Sequence, residues 1–212
     1  MDIEIEKELL DKLKDSSEDL EEIMEQLVML YHKEGEPMKA VPYLHQLIKK
    51  THDADKVAHY YLSLGQLMEK VENYESAVLY YSQALAIGTS DKRVWYFIHN
   101  NLGFCLNVTG KYIEGEKFCK EAINIDPFPP NAYKNMGISL ESQGRILEAA
   151  MAYRTGWIAD PFDGRSYQHL TSLISKHKEY EHVLPMNKRE FIMERKKFIE
   201  SHGGTYDISS LE

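Results

Sequence analysis

The sequence predicts an all-α solenoid of stacked helical hairpins, and its punctuation carries the prediction. Gly103 and Gly137 stand 34 residues apart, as do Gly110 and Gly144, and as do Pro127 and Pro161. Three such residues in one register mark a repeat. The mid-repeat glycine suits the left-handed residue that follows a helix end. The late proline cannot extend the helix behind it. Each unit therefore reads as two helices whose apolar face is buried only by stacking on a neighbour, so that the array is the folding unit.

With the first glycine of each unit set at position eight, the frame extends in both directions. An upstream unit carries Leu64-Gly65, Ala77, Tyr81 and Ala84. The next carries Leu102-Gly103, Leu106, Gly110, Gly115, Cys119, Ala122 and Pro127. The third carries Tyr133, Met136-Gly137, Leu140, Gly144, Ala149, Tyr153, Gly156 and Pro161. This pattern resembles the tetratricopeptide repeat, which has a bulky residue at four, Leu-Gly at seven and eight, Ala at twenty, an aromatic at twenty-four, a small residue at twenty-seven and Pro at thirty-two. The resemblance covers roughly residues 58 to 161, as units 58–91, 96–129 and 130–163. It implies a right-handed superhelical solenoid in which position eight is small because a ring from the second helix lies against it.

The flanks read as degenerate units and caps. Residues 1–57 hold two N-terminal helices. Ile3, Ile5, Leu9, Leu10 and Leu13 line one side of the first; Ser17 precedes the second, in which Leu20, Ile23, Met24, Leu27, Leu30 and Tyr31 keep helical spacing. That second helix fits a degenerate first repeat, with Val28 at the glycine place and Pro42 within its second helix. Residues 164–202 hold a partial repeat, where Thr171 replaces the glycine and Pro185 breaks the second helix. A final helix from about Asn187 to His202 carries Phe191, Ile192, Phe198 and Ile199 on one side and Lys188, Arg189, Arg195, Lys196 and Lys197 elsewhere. It reads as a cap on the last apolar face, or as a basic amphipathic helix that docks on a partner or membrane surface. Residues 203–212 read as a flexible tail. Terminal units of this kind suit a solenoid whose end faces meet water. Between the first two good units, the stretch around GTSDKRVW adds four residues to the spacing, enough to lengthen a loop or the following helix.

Composition bounds the function. The 212 residues, 43% of them hydrophobic, suffice for a sizeable folded body. No run of about 18 apolar residues is present, so no membrane span is expected. The charged start MDIEIEKELLDKLKD does not read as a targeting peptide, and Cys105 and Cys119 fall where small apolar residues are expected inside helices. Two buried thiols, rather than a disulfide or redox pair, and a cytoplasmic location follow. The net charge of −9 is confined to residues 1–36, which hold 13 acidic and 4 basic side chains; the remainder balances. Nucleic-acid binding needs a basic stripe, which is not found. The carboxylates at 18, 19, 21 and 22 fit the first turn of a helix, where the dipole favours them, or a patch that seeks cations.

No catalytic motif is present: no P-loop, no HExxH, no CxxC. His45, His52 and His59 straddle a helix break at about Thr51 to Ala54, and Ser90-Asp91 reads as a loop-to-helix junction with a capping aspartate. No enzyme activity, cofactor or metal is expected. The resemblance implies a non-catalytic protein-binding scaffold whose first helices line a concave groove. Positions two, five, six, nine, twelve and thirteen then face the groove. In the central units these are Phe97, Asn100, Asn101, Phe104, Asn107 and Val108, then Asn131, Lys134, Asn135, Ile138, Glu141 and Ser142. His59, Leu62, Ser63, Gln66, Glu69 and Lys70 face it earlier, and Arg165, Gln168, His169, Ser172, Ser175 and Lys176 later. Asn101 and Asn135 recur at position six. They form either a ladder that bonds an extended backbone or simply the family's common residue at that place. Phe97, Phe104, Val108 and Ile138 form an apolar patch for a partner's side chain, unless the chain's own terminal helix covers it. Lys134, Arg165 and Lys176 favour acidic residues. The family's carboxylate clamp of Lys and Asn, then Asn, then Lys and Arg is not matched, because Leu62 and Gln66, then Asn131 and Asn135, replace its outer members. One unit later, Asn100, Phe104, Asn135, Arg165 and His169 match it only in part. The partner is another protein or peptide segment. Self-assembly through the acidic N-terminal segment, or chaperone-like shielding of a secreted or membrane-associated client, are the alternatives.

Overall fold

The computed structural model describes residues 3–14, 19–184 and 188–205. Ser17, Glu18, Pro185, Asn187 and residues 206–212, on which some expectations fall, lie outside them. Eleven α-helices are described: α1 (Ile3–Lys14), α2 (Leu20–Lys33), α3 (Pro37–Lys50), α4 (Ala54–Lys70), α5 (Tyr74–Ile87), α6 (Lys92–Val108), α7 (Tyr112–Ile125), α8 (Pro130–Ser142), α9 (Ile146–Ala159), α10 (Gly164–Lys176) and α11 (Lys188–Ser201). A 3₁₀ segment, Lys178–Val183, separates α10 from α11. No strand occurs among the described residues, and none of their helices is long and apolar enough to cross a membrane. The all-α hairpin architecture is as expected. The chain falls into two compact units, residues 1–101 and 102–212, divided within α6.

In the first unit α2 pairs with α3 and α4 with α5, α3 also packs on α4, and α1 lies on α2. Leu27, Leu44, Leu47, Leu64, Leu67 and Tyr81 are fully buried between them. Asp19 and Asp53 cap α2 and α4 by accepting backbone N–H bonds. This satisfies donors that a helix start leaves orphaned. Pro42 lies inside α3. The four added residues extend the start of α6, a 17-residue helix beside the 13 residues of α8. Asp91 caps that start through bonds from Arg93 N (2.8 Å) and Val94 N (3.1 Å). Asp55 fixes the preceding turn by accepting from Thr89 Oγ1 (2.7 Å) and from both N and Oγ of Ser90 (2.7 and 2.6 Å).

In the second unit α7 packs on α8, α8 on α9, and α10 on both α8 and α9. The core there is Leu140, Ala149, Ala150, Tyr153, Leu170 and Leu173, closed by Val183 of the 3₁₀ segment. That segment stands where a second helix of the last repeat would run. Helix α11 packs on α9. Phe191 lies on Trp157 with ring centroids 4.4 Å apart, and Phe198 meets Phe128 and Tyr133 edge-on. Arg154 pairs with Glu194. Arg195 donates to the carbonyls of Ile158 (2.6 Å) and Ala159 (3.0 Å), acceptors that the end of α9 leaves open.

The repeat frame has a visible physical basis. A Cβ at Gly65 would fall 2.3 Å from Cε1 of Tyr81, and one at Gly137 would fall 2.4 Å from Cε1 of Tyr153. Gly103 faces Cys119 Sγ in the same way, at 2.7 Å. Four first helices end in the same six-to-one bond: Glu36 N to Tyr31 O, Asn73 N to Met68 O, Lys111 N to Leu106 O and Arg145 N to Leu140 O. The residue that turns the chain has φ of +75° at Gly35, +78° at Gly110 and +74° at Gly144, but at +57° the same place is taken by Glu72.

Candidate peptide-binding surface

The residues singled out for a groove divide between the units. Phe97, Asn100 and Asn101 lie in the first. Asn100 is 5% exposed and donates its Nδ2 to Asn101 Oδ1 at 2.9 Å. Asn101 Nδ2 donates to the hydroxyl of Tyr81 at 3.3 Å, and that hydroxyl donates to Glu69. These carboxamides are thus engaged inside the fold. Phe97 is half-buried, with the Arg93 guanidinium 5.8 Å from its ring centroid.

In the second unit Phe104 is half-buried and Val108 is exposed. Ile138 packs against the Tyr153 core. Asn135 is 2% exposed. Its backbone carbonyl accepts from Asn107 Nδ2 (2.8 Å) and Ser139 Oγ (3.1 Å), while Ser139 Oγ also donates to Asn107 Oδ1 (2.7 Å). A polar knot therefore pins α8 to the end of α6 where sequence reading placed groove-facing amides.

The first turns of α8 and α10 come together around Arg165. Asp163 caps α10, accepting from Arg165 N at 3.1 Å and from its Nε at 2.8 Å. Arg165 Nη2 reaches across to Asn131 Oδ1 at 2.8 Å. Asp163 holds the guanidinium in its charged form, and Arg165 in turn keeps the Asp163 carboxyl below its ordinary range. One turn along α8, Lys134 is half-buried. Burial, then the charge of Arg165, pushes its ammonium below the usual lysine value, with Asp163 opposing. One turn along α10, His169 stacks on Tyr153 with centroids 5.0 Å apart and planes at 18°. Tyr153 donates its hydroxyl to Glu141 at 2.9 Å. Burial, then Lys134, lowers the pKa of His169.

Lys134, Arg165, Gln168, His169 and Ser172 line one cleft of about 300 Å³. Of the residues singled out, Lys134 and Arg165 thus meet, with Asn131 behind Arg165. Lys176 is exposed in the last turn of α10 and does not line the cleft. Gln168, His169 and Ser172 were placed on the concave face by the repeat frame but not singled out. Helix α11 packs on α9, with its aromatic side chains on Trp157, Phe128 and Tyr133. The cleft offers two cations, a hydroxyl, a carboxamide and an imidazole, a donor set suited to an anionic group.

No family model matches the chain. Over 120 residues it is 28% identical to an uncharacterised TPR repeat-containing protein of Arabidopsis thaliana. That alignment covers 53% of this chain and 14% of the plant protein, so the chain spans far less than the full length of the relative it matches. Among solved structures, MamA (residues 41 to the end) from Desulfovibrio magneticus RS-1 aligns with a TM-score of 0.67 at 14% identity, covering 88% of this chain and 99% of that one. YrrB, described as a TPR protein with an unusual peptide-binding site, aligns with a TM-score of 0.62 at 16% identity, over 92% and 93% of the two chains. The hairpins described above and these superpositions define the same class: the chain has the tetratricopeptide-repeat fold.

Proposed function

We propose that this chain is a non-catalytic protein-interaction scaffold that holds an acidic segment of a partner along α8 and α10. The cleft carries the reading. Lys134 is a half-buried cation that makes no ion pair among the described residues, and a carboxylate beside it would offset the cost of its burial. Arg165, already oriented by Asp163 and Asn131, supplies a second, pre-organised donor. Phe104 and Val108 stand ready to meet apolar side chains of the same segment. Asn101, bonded to Tyr81, and Asn135, buried on α8, act in this scheme as scaffold residues that hold the helices. The YrrB likeness supports a peptide ligand for this architecture. We place the protein in a reducing cytoplasm, in keeping with the buried thiols of Cys105 and Cys119.

Affinity capture from native lysate, with the wild type beside a Lys134→Glu, Arg165→Glu variant, tests it. The expected result is a partner retained by the wild type, eluted by salt, and lost by a variant of unchanged helicity. A partner held equally by both would overturn the assignment of the cleft.

A further inference from the structure

A second pocket lies in the first unit, where nothing in the proposed function uses it. Helices α2 and α4 run side by side and are tied at intervals along their length. Lys56 Nζ meets Glu21 at 2.5 Å, the Tyr60 hydroxyl donates to Glu25 at 2.5 Å, and Lys70 Nζ approaches His32 Nδ1 at 3.2 Å. Between these ties the helices leave a pocket of about 240 Å³. Leu44 and Leu47 of α3, both buried, contribute to its lining, as do Val28, Met29, Tyr60 and Ser63. A void of roughly 150 Å³ lined by apolar side chains holds benzene, so this one has room for a branched aliphatic or aromatic group.

One side of the pocket is acidic. Glu25 stands in its wall, as does His59; Tyr60 donates to one of the Glu25 oxygens, and Lys56, which feels the Glu25 charge, is already bonded to Glu21. Glu22 lies a turn earlier on α2, bonded only to the neutral Gln26. Two acidic residues of the N-terminal segment, Glu22 and Glu25, thus stand beside an apolar opening. Met29, 71% exposed, forms a pliable lip.

We propose that this pocket is a docking site for a basic segment of a protein partner, which inserts one bulky aliphatic side chain between α2 and α4 and pairs its flanking Lys or Arg with Glu22 and Glu25. The two parts of the site divide the work. The apolar cavity supplies most of the affinity, through area removed from water. The carboxylates select the sign of the flanking charge and speed encounter. A segment with acidic flanks meets repulsion there, so this site and the cationic cleft of the second unit accept opposite chemistries.

The test is fluorescence anisotropy with the full chain and three labelled, end-blocked hexapeptides. The first is Lys-Arg-Leu-Leu-Arg-Lys, the second replaces both leucines by serine, and the third replaces the four basic residues by Asp and Glu. The leucine-containing basic peptide should bind about tenfold or more tighter than either control, the factor expected for burying one leucine. Ser63→Trp, which fills the pocket from α4, should abolish that preference, and Glu22→Gln with Glu25→Gln should weaken binding and flatten its salt dependence. The Lys134→Glu, Arg165→Glu variant should bind the basic peptide as the wild type does, which separates this site from the cleft. Equal affinity for the leucine and serine peptides, undiminished binding by folded Ser63→Trp, or no binding of the basic peptide would each overturn the proposal.

Discussion

Arg145 Nη1 lies 2.7 Å from Glu116 Oε2, an ion pair that joins the head of α9 to α7. The Glu116 side chain is only 8% exposed there, and its oxygens also accept from Lys120 Nζ at 2.5 Å and Gln143 Nε2 at 2.9 Å. Burial alone would push this carboxyl up. The bonds from Lys120, Gln143 and Arg145 outweigh it and hold the pKa at about 2. A carboxyl whose pKa falls on folding stabilises fully above its unfolded value, near 4.5, and the gain disappears as pH falls through the folded one. Between pH 4.5 and 2 the wild type should therefore lose on the order of 2 kcal/mol more stability than Glu116→Gln. Urea melts of both proteins across that window measure the difference. Parallel curves would mean that the pair contributes nothing net.

Glu72 holds φ +57° at the place where the neighbouring hairpins use glycine. A side chain there costs roughly 1–2 kcal/mol against a right-handed conformation, and glycine returns part of that through a freer unfolded chain. Glu72→Gly should raise stability by about 0.5–1 kcal/mol, seen as a higher Tm with unchanged helicity. A lower Tm would show that Glu72 makes a compensating contact.

The 34-residue spacing of Gly103 and Gly137 made the hairpins legible, because close approach to Cys119 and Tyr153 forbids a Cβ at both sites. Most of the candidate site was less legible. Asn107 and Asn135 occupy groove-facing places in the repeat frame, yet α6 and α8 lie close enough to bury both. A frame fixes the face of a residue but not the separation between faces. The cleft depends on Lys134 and Arg165 meeting across 30 intervening residues. Glu116 lies one helical turn before Lys120. Its pairing with Arg145 comes from the stacking of α9 near α7, which no local pattern encodes. The path of α11 was open for the same reason: its apolar side was plain, but Trp157 as its target was not.

The close approach at Gly137 has a sharp consequence. Gly137→Ala places a methyl inside the contact distance of the Tyr153 ring, and neither helix can yield without disturbing the Leu140 and Leu170 core. The expected cost is about 1–3 kcal/mol. Gly164→Ala is the control, since nothing lies within 4 Å of its added Cβ; it should be neutral or stabilising by up to about 1 kcal/mol. In thermal melts the Tm of Gly137→Ala should fall while that of Gly164→Ala should not. Equal shifts would refute the steric account of position eight.

His169 faces Lys134 and Glu141 of α8 and Tyr153 of α9, with Arg165, Gln168 and Ser172 on its own helix. Burial first, and Lys134 second, depress its pKa below 6.5, while Glu141 opposes them. In the free protein the imidazole is therefore neutral at pH 7. Because the depressed value belongs to the folded state, its contribution to stability is complete above pH 6.5 and is lost as pH falls. An acidic segment in the cleft reverses the electrostatics, since a nearby carboxylate favours the imidazolium. Binding should then draw a proton onto His169, and affinity should rise severalfold from pH 7.5 to 5.5, a window in which partner carboxylates, near 4, stay ionised. His169→Asn should flatten the profile while leaving binding at pH 7.5 within about threefold of the wild type. Titration calorimetry in two buffers of different ionisation enthalpy reads the proton uptake directly. Zero uptake at pH 6.5, with a flat wild-type profile, would place the anion away from His169 and move the binding site off the cleft.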